Sequence, residues 1–159
     1  MILAGGTRDW MEDKALDKLQ YVDLAVDIHH VFPQKWCNDN NIDDEHRESV
    51  VNKTTISART NRTIGGAAPS SYLPVIESRA QISGARLDEL LATHLIPAEH
   101  LRTDSFDAYF AARRESLCRL VEAAIGKAVQ RDVDQGFAEE DSSQFEPDEL
   151  LDDAATGSD

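Results

Sequence analysis

A short apolar run that ends in two adjacent histidines and a proline constrains the fold of this 159-residue chain more than any other segment. The run reads VDLAVDIHHVFP over residues 22–33. Its first five residues are apolar enough for a buried strand. Pro33 ends that strand or opens a turn, because proline has no donor for a sheet ladder. His29 and His30 are therefore expected at a strand end, where consecutive side chains point to opposite faces of a sheet.

A second strand and a short helix are predicted further along the chain. Residues 48–55 contain Val50 and Val51 and are expected to supply the second strand. Ser57 is a good N-cap for a helix over residues 58–64, which Gly65 would end. The predicted order is therefore strand, strand and a helix of about two turns.

Helices are predicted for most of the remaining chain, which makes the expected fold class α+β and mostly helical. A short polar helix is expected over residues 9–20 and a helical turn near residue 34. Further helices are expected after Pro69 and over residues 86–96. Residues 105–129 show the strongest helical pattern, with apolar residues at three- and four-residue steps, which indicates a long helix packed along one apolar stripe. Asp104 or Ser105 is expected to cap it.

The charge of the chain is unevenly distributed. Its 30 acidic and 16 basic side chains give a net charge of −14, which disfavours binding to phosphates. Residues 132–159, however, hold 11 of the acidic side chains and no Lys or Arg, and their composition predicts a disordered acidic tail. The other 131 residues have a net charge of −3. The acidic balance therefore does not exclude a nucleic-acid substrate.

Several classes of protein are disfavoured by the composition. No apolar run approaches the roughly 20 residues of a membrane helix, and the N-terminus does not resemble a secretory signal. Cys37 and Cys118 are isolated, so neither a disulfide nor a zinc ribbon is expected. A cytoplasmic location is the expectation that follows.

The histidine pair and two downstream asparagines suggest a particular chemistry. Phosphodiester cleavage needs an activated water, and imidazole titrates near working pH and can take its proton. A divalent cation can serve the phosphate and the leaving oxygen together. Asp27 lies on the same side of the strand as His29 and is expected to accept its second N–H. Asn52 and Asn61 follow nine residues apart.

The segments DIHHVFP, NKTTISARTNR and APS together resemble the HNH motif in the C-terminal nuclease domain of GmrSD-type, modification-dependent restriction endonucleases. They are also similar in spacing to the HNH domain of CRISPR effector nucleases. The later segment LRTDSFDAYFAARRESLCRLVEAAIGK resembles the helical end of the GmrSD-type chains. The resemblance covers residues 9–131 and implies a ββα-metal core with added C-terminal helices.

The resemblance also implies roles for individual residues. His30 matches the general base and His29 a metal-ligand position. Asn61 matches the second ligand, on the helix, and Asn52 the middle asparagine that braces the histidine loop by backbone hydrogen bonds. Arg62 is expected either to hold a phosphate beside the cut or to belong to a solvated face.

Asp27 completes the residues expected around the metal. Mg²⁺ or Mn²⁺ is the expected ion, although mixed nitrogen and oxygen ligands also permit Ni²⁺ or Co²⁺. The function so implied is a metal-dependent DNA endonuclease acting in restriction or phage defence. The expected organisation is an N-terminal helical lead-in (residues 1–21), a nuclease domain with its helical extension (residues 22–131) and the tail.

Proteins of the GmrSD type carry an N-terminal nucleotide-hydrolysing and recognition domain of ParB-like fold, which this sequence lacks. A separate subunit or domain of that kind is therefore an expected partner, together with DNA. One alternative is a non-catalytic interaction module that docks on such an NTPase through the long helix. Another is a structural domain that holds zinc in the same ligands.

Three further expectations concern residues outside the motif. His94 is expected at the edge of the core, whereas His46 and His100 are expected at the surface. Arg113 and Arg114, on the long helix, are expected to form salt bridges along that helix rather than to contact DNA.

Overall fold

The computed structural model describes residues 6–16 and 26–129. Within these residues two antiparallel strands accompany seven α-helices, which confirms an α+β, mostly helical fold. In chain order the elements are β1 (Val26–His30), α1 (Gln34–Asp39), α2 (Asp44–Glu48), a 3-10 turn (Val50–Asn52), β2 (Lys53–Ser57), α3 (Ala58–Ile64), α4 (Pro69–Ala80), α5 (Gly84–Ala92), α6 (Ala98–Arg102) and α7 (Phe106–Ile125). The predicted acidic tail and the predicted strand residues 22–25 lie outside the described residues.

The two strands form an antiparallel ribbon that runs from the pair Val26 and Ser57 to the pair His30 and Lys53. The strand predicted from residue 48 begins instead at Lys53, so that boundary is wrong. Serine and aspartate side chains that bond nearby backbone donors favour caps and turns over strands. Ser49 accepts from the backbone N–H of Val51, which stabilises the 3-10 turn in the place of the first predicted strand residues.

Helix α3 follows β2 directly and has the predicted bounds. The Ser57 hydroxyl accepts from the backbone N–H of Thr60 at 3.2 Å, which satisfies one of the free donors of the first turn. Gly65 ends the helix with a φ of 55°, a value that glycine tolerates better than other residues. Thr60 and Ile64 are buried, and α3 packs against both strands.

The N-terminal segment is a turn rather than the predicted helix. Arg8 and Ala15 form an antiparallel bridge around it. One carboxylate oxygen of Asp9 accepts from the backbone N–H groups of Met11 and Glu12, at 3.0 and 2.9 Å. An aspartate that captures these donors competes with helix formation, so the prediction for residues 9–16 is wrong. The remainder of that predicted helix, residues 17–20, lies outside the described part of the chain.

The four C-terminal helices build one apolar core with Trp10 and Phe32. Buried members from α4 to α7 are Tyr72, Leu73, Ile76, Leu87, Leu90, Leu91, Leu101, Phe106 and Tyr109. Arg102 joins three of these helices, because its guanidinium meets Glu77 at 2.8 Å and Asp88 at 2.6 Å. The described helices include none that is long and apolar enough to cross a membrane.

Helix α7 packs differently from the prediction in two ways. Ser105 precedes it without a side-chain capping hydrogen bond, and Asp104 instead accepts from the backbone and hydroxyl of Ser70 at the start of α4. Phe106, Tyr109 and Arg113, all in the first half of α7, are buried, but Leu120 is 38% exposed and Ile125 is 54% exposed. Among the described residues, full burial along α7 is therefore confined to its first half.

His94 and Arg113 form a buried polar pair, and the predictions made for both residues are wrong. His94, expected at the core edge, is fully buried and hydrogen-bonds the Thr54 hydroxyl at 2.7 Å. Arg113, expected in a salt bridge, is also fully buried and donates to the backbone oxygens of Val51 and His94 at 2.7 and 3.3 Å. The adjacent Arg114 is exposed.

Candidate active site

The strand register separates the two histidines. His29 pairs with Thr54 and His30 pairs with Lys53. Residues directly opposite in an antiparallel ribbon share a face, and consecutive residues alternate between faces. His29 therefore lies on the side of the buried Thr54, and His30 lies on the other side with Lys53. The two imidazoles therefore cannot share one role. This agrees with the prediction that they point to opposite faces.

Asn52 holds the loop that leaves β1. Its side-chain oxygen accepts from the backbone N–H of Phe32 at 2.9 Å, and its side-chain amide donates to the backbone oxygens of Phe32 and Arg47 at 3.0 and 3.1 Å. The backbone oxygen of Asn52 also accepts from the N–H of Val31 at 2.8 Å. These are hydrogen bonds of the kind that the resemblance implies for this residue. They fix the chain immediately after His30.

The imidazole of His30 contacts a carboxylate that the sequence prediction did not include. Its Nε2 lies 3.1 Å from Oε2 of Glu48, the last residue of α2. The side chain of His30 is 17% exposed and that of Glu48 is 39% exposed. The pair therefore lies at the border of solvent.

Glu48 is surrounded by donors from four segments of the chain. Besides His30, its carboxylate meets Lys53 at 2.9 Å, Arg47 at 3.1 Å and Gln34 at 3.0 Å. The hydrogen bonds from Lys53 and then Arg47 lower the pKa of Glu48 to about 2. The carboxylate is consequently ionised throughout the neutral range and is a fixed hydrogen-bond acceptor.

Asn61 lies one turn into α3 and is half-buried. The start of this helix is anchored by Asp9, whose second carboxylate oxygen accepts from the backbone N–H of Ser57 at 2.7 Å. Its first oxygen accepts from the Thr60 hydroxyl at 2.8 Å. Since α3 packs against β1 and β2, the helix that carries Asn61 lies against the strand that carries His29.

Asp27 and Arg62 are the remaining predicted site residues. Asp27 lies in β1 opposite Ile56, but its side chain falls outside the described part of the structure. Arg62 is exposed near the end of α3 and makes no ion pair within residues 6–16 and 26–129. The structure therefore brings His30 and Lys53 together at Glu48, and Arg62 forms no described ion pair with this group.

The donor set on β1 and α3 is compatible with a weakly held divalent ion. His29 offers an imidazole nitrogen and Asn61 an amide oxygen, from elements that pack together. The described residues contain no group of three His, Cys, Asp or Glu side chains that could enclose a metal. Mg²⁺ commonly keeps several waters and takes only one or two protein ligands beside substrate phosphates, so a two-ligand set fits an ion that the substrate completes.

Glu48, Arg47 and Gln34 are the residues around His30 that the sequence did not indicate. Glu48 is separated from His30 by 18 residues and belongs to a segment that the sequence predicted as a strand. In the sequence, Glu48 is marked only as the last residue of the charged run DDEHRE, a pattern that favours a solvated helix. The contact with His30 depends on folding of the loop and could not be read from that run.

Comparisons with known proteins leave the family of this chain open. No family model matches it, and no solved structure matches it. The chain is similar to an uncharacterized protein of Methanocaldococcus jannaschii, with 33% identity over 73 residues. That alignment covers 46% of this chain and 12% of the archaeal protein, so the chain corresponds to a small part of the length of that relative.

Proposed function

We propose that this chain is a metal-dependent DNA endonuclease domain of the HNH type, in which His30 is the general base. The observation that carries the proposal is the setting of His30. Its imidazole is held against a carboxylate at a strand end, and Asn52 braces the chain that follows it. After α1, α2 and the 3-10 turn the chain continues as β2 and then α3, which supports the strand, strand and helix order proposed for a ββα-metal site.

The proposed reaction is hydrolysis of one phosphodiester bond. His30 takes a proton from a water molecule, because a neutral imidazole accepts protons near neutral pH. The water oxygen bonds to phosphorus as the bond from phosphorus to the 3′-oxygen breaks. That oxygen takes a proton from solvent. The products carry a 5′-phosphate and a 3′-hydroxyl.

His29 and Asn61 are the residues proposed to hold the divalent ion, with Mg²⁺ or Mn²⁺ as the expected metals. Asp27 is proposed to orient His29 from the same side of the strand, as partners of metal-binding histidines commonly do. When bound, the ion would polarise the scissile phosphate and stabilise negative charge on the leaving oxygen.

Contacts to DNA phosphates are proposed for Lys53 and Arg62. Lys53 lies beside His30 on the ribbon, and Arg62 follows Asn61 on the exposed side of α3. The resemblance to GmrSD-type enzymes suggests a role in restriction or phage defence. It also suggests a partner domain or subunit that hydrolyses nucleotides and selects the DNA.

The experiment that tests the proposal is nicking of supercoiled plasmid by the full chain with Mg²⁺, Mn²⁺, Ni²⁺, Co²⁺ or Zn²⁺, and with a chelator. We expect nicking with Mg²⁺ or Mn²⁺, none with the chelator, and nicked ends that ligase reseals because they carry 5′-phosphate and 3′-hydroxyl groups. Absence of nicking with every metal, with and without an NTPase partner and nucleotide, would contradict the proposal. Unfolding caused by the chelator would favour a structural zinc domain instead.

A non-catalytic docking module is the second candidate function, and two exposed apolar side chains in the second half of α7 support it. Leu120 and Ile125 present apolar surface near the end of the helix. If docking on an NTPase is the function of this surface, Leu120→Asp with Ile125→Asp should abolish a complex with the purified NTPase. A non-catalytic module also predicts that the wild-type protein nicks no plasmid with any metal.

A further inference from the structure

The contact between His30 and Glu48 has a consequence for which nitrogen of the imidazole carries its proton. An ionised carboxylate has only acceptors, so the atom that hydrogen-bonds to it must be a donor. Nε2 of His30 lies 3.1 Å from Oε2 of Glu48. In the neutral imidazole the proton is then on Nε2, and the lone pair is on Nδ1.

We propose that Glu48 is a positioning residue that keeps His30 in its Nε2–H tautomer and so presents Nδ1 to the attacking water. The proposal rests on the proposed nuclease function and names a residue to which neither the motif nor the resemblance gave a role. A carboxylate that orients the base histidine of a hydrolase controls both its tautomer and its ring angle.

The carboxylate of Glu48 is itself held in place by neighbouring side chains, as a residue that positions His30 must be. Lys53 is the strand partner of His30 and meets the same carboxylate oxygen of Glu48 at 2.9 Å. The other oxygen accepts from Gln34 at 3.0 Å and from Arg47 at 3.1 Å. Both oxygens are therefore occupied, and the carboxylate cannot turn away from His30 without losing donors on both sides.

A second observation separates this pair from an ordinary surface ion pair. Exposed ion pairs hold two flexible side chains and often contribute little. Here His30 is 17% exposed and begins a loop whose backbone is fixed by Asn52. Among the described residues, Nδ1 of His30 makes no hydrogen bond. The Nε2–H form leaves its lone pair for the water of the proposed reaction.

The test is nitrogen-15 NMR of the histidine rings in the full-length protein without DNA, at about pH 8.5, where imidazoles of ordinary pKa are neutral. Comparison with His30→Ala assigns the signals of His30. We expect the wild type to show the Nε2–H form of His30. We expect Glu48→Ala to show a mixture of tautomers, because the acceptor is gone. Glu45→Ala removes an exposed glutamate from the same helix and should leave the spectrum of His30 unchanged.

Plasmid nicking by the same variants provides the catalytic readout. Loss of a residue that orients a metal-binding histidine typically costs about 10- to 100-fold in activity. By analogy, we expect kcat of Glu48→Ala to fall by about 10- to 100-fold, with KM changed less than about twofold. Glu48→Asp keeps a carboxylate and should recover part of kcat. Glu45→Ala should match the wild type in both kcat and KM.

Two results would overturn the inference without touching the proposed function. One is an Nδ1–H tautomer of His30 in the wild type, a measurement that needs no variant to fold. The other is a Glu48→Ala protein with unchanged tautomer and unchanged kcat. Failure of the proposed function has a different signature, namely a wild-type protein that shows the Nε2–H tautomer but nicks no DNA with any metal.

Discussion

Asn52 and Phe32 are joined by a reciprocal pair of hydrogen bonds, in which the asparagine side chain both accepts from and donates to the backbone of Phe32. Both residues are fully buried. Buried backbone groups that lose their partners carry the full cost of desolvation. The asparagine is therefore the link that stabilises the segment after the histidine pair.

Replacing Asn52 with Ala should destabilise the protein by about 1–3 kcal/mol, since the N–H of Phe32 would be left buried without a partner. The C=O of Phe32 would keep only the weak thiol donor of Cys37, at 3.4 Å. Urea unfolding followed by tryptophan fluorescence measures the loss. Asn38→Ala is the matched control, because Asn38 is exposed, and it should change stability by less than about 0.5 kcal/mol. Equal stability of the two variants would show that the bonds to Phe32 contribute nothing measurable.

Replacing Asp9 with Asn should loosen the start of α3. The carboxylate of Asp9 takes four donors, two from its own turn and two from Ser57 and Thr60. An amide nitrogen cannot accept, so at least one buried donor loses its partner at a cost of about 1–3 kcal/mol. Asp39→Asn, at an exposed pair with Lys35, should cost less than about 1 kcal/mol.

The adjacent arginines of α7 offer a second matched comparison. Arg113 is buried and uses both ends of its guanidinium fork. Its Nη1 donates to the Val51 oxygen and the Tyr109 hydroxyl at 2.7 and 2.8 Å, and its Nη2 donates to the His94 oxygen at 3.3 Å. Lysine cannot reproduce that fork, so Arg113→Lys should lower the free energy of unfolding by about 2–3 kcal/mol. Arg114→Lys, at an exposed position, should stay within about 0.5 kcal/mol of the wild type. A smaller loss for Arg113→Lys than for Arg114→Lys would contradict this assignment.

The stability of the protein should depend on the protonation of His94. Burial lowers the pKa of His94 from its ordinary 6.5 to about 4. The folded state thus disfavours the proton that the unfolded chain accepts. The contribution of neutral His94 to the free energy of unfolding is fully present above about pH 6.5, its pKa in the unfolded chain. It is lost as the pH falls towards 4. The shift of about 2.5 pH units corresponds to a loss of about 3 kcal/mol across that window.

Urea unfolding at several pH values between about 4 and 7 measures this dependence. His94→Gln, which can still accept and donate hydrogen bonds, should show a shallower fall in stability over the window. Parallel curves for the variant and the wild type would show that other groups cause the acid sensitivity. Glu48 does not interfere in the upper part of this pH window. Its pKa is lowered from 4.5 to about 2, so its contribution to stability falls only below about pH 4.5.

Local signals in the sequence predicted the elements that local interactions determine. Ser57 and Gly65 predicted both ends of α3, because a capping hydroxyl and a glycine act within one turn of the helix. The opposite faces of His29 and His30 followed from strand alternation alone. The turn at Asp9 was missed, since a helical prediction does not include a side chain that captures two backbone donors.

Long-range contacts account for what the sequence could not predict. Arg113 was expected in a helix salt bridge, yet its partner Val51 lies 62 residues away. Glu48 reaches His30 only because α2 and the 3-10 turn replace the beginning of the predicted second strand. No periodicity or motif encodes such pairs, and they form only when the helices and the 3-10 turn pack together in the folded chain.

The central claim is that His30 removes the proton from the attacking water, and the rate of plasmid nicking by His30→Ala tests it most directly. His100→Ala, at a half-buried histidine of α6 outside the site, is the matched control, and circular dichroism checks that both variants fold. Loss of a general base lowers rates by about 10²- to 10⁴-fold, so we predict a fall of at least about 100-fold for His30→Ala and none for His100→Ala. Nicking by folded His30→Ala at the wild-type rate would contradict the account.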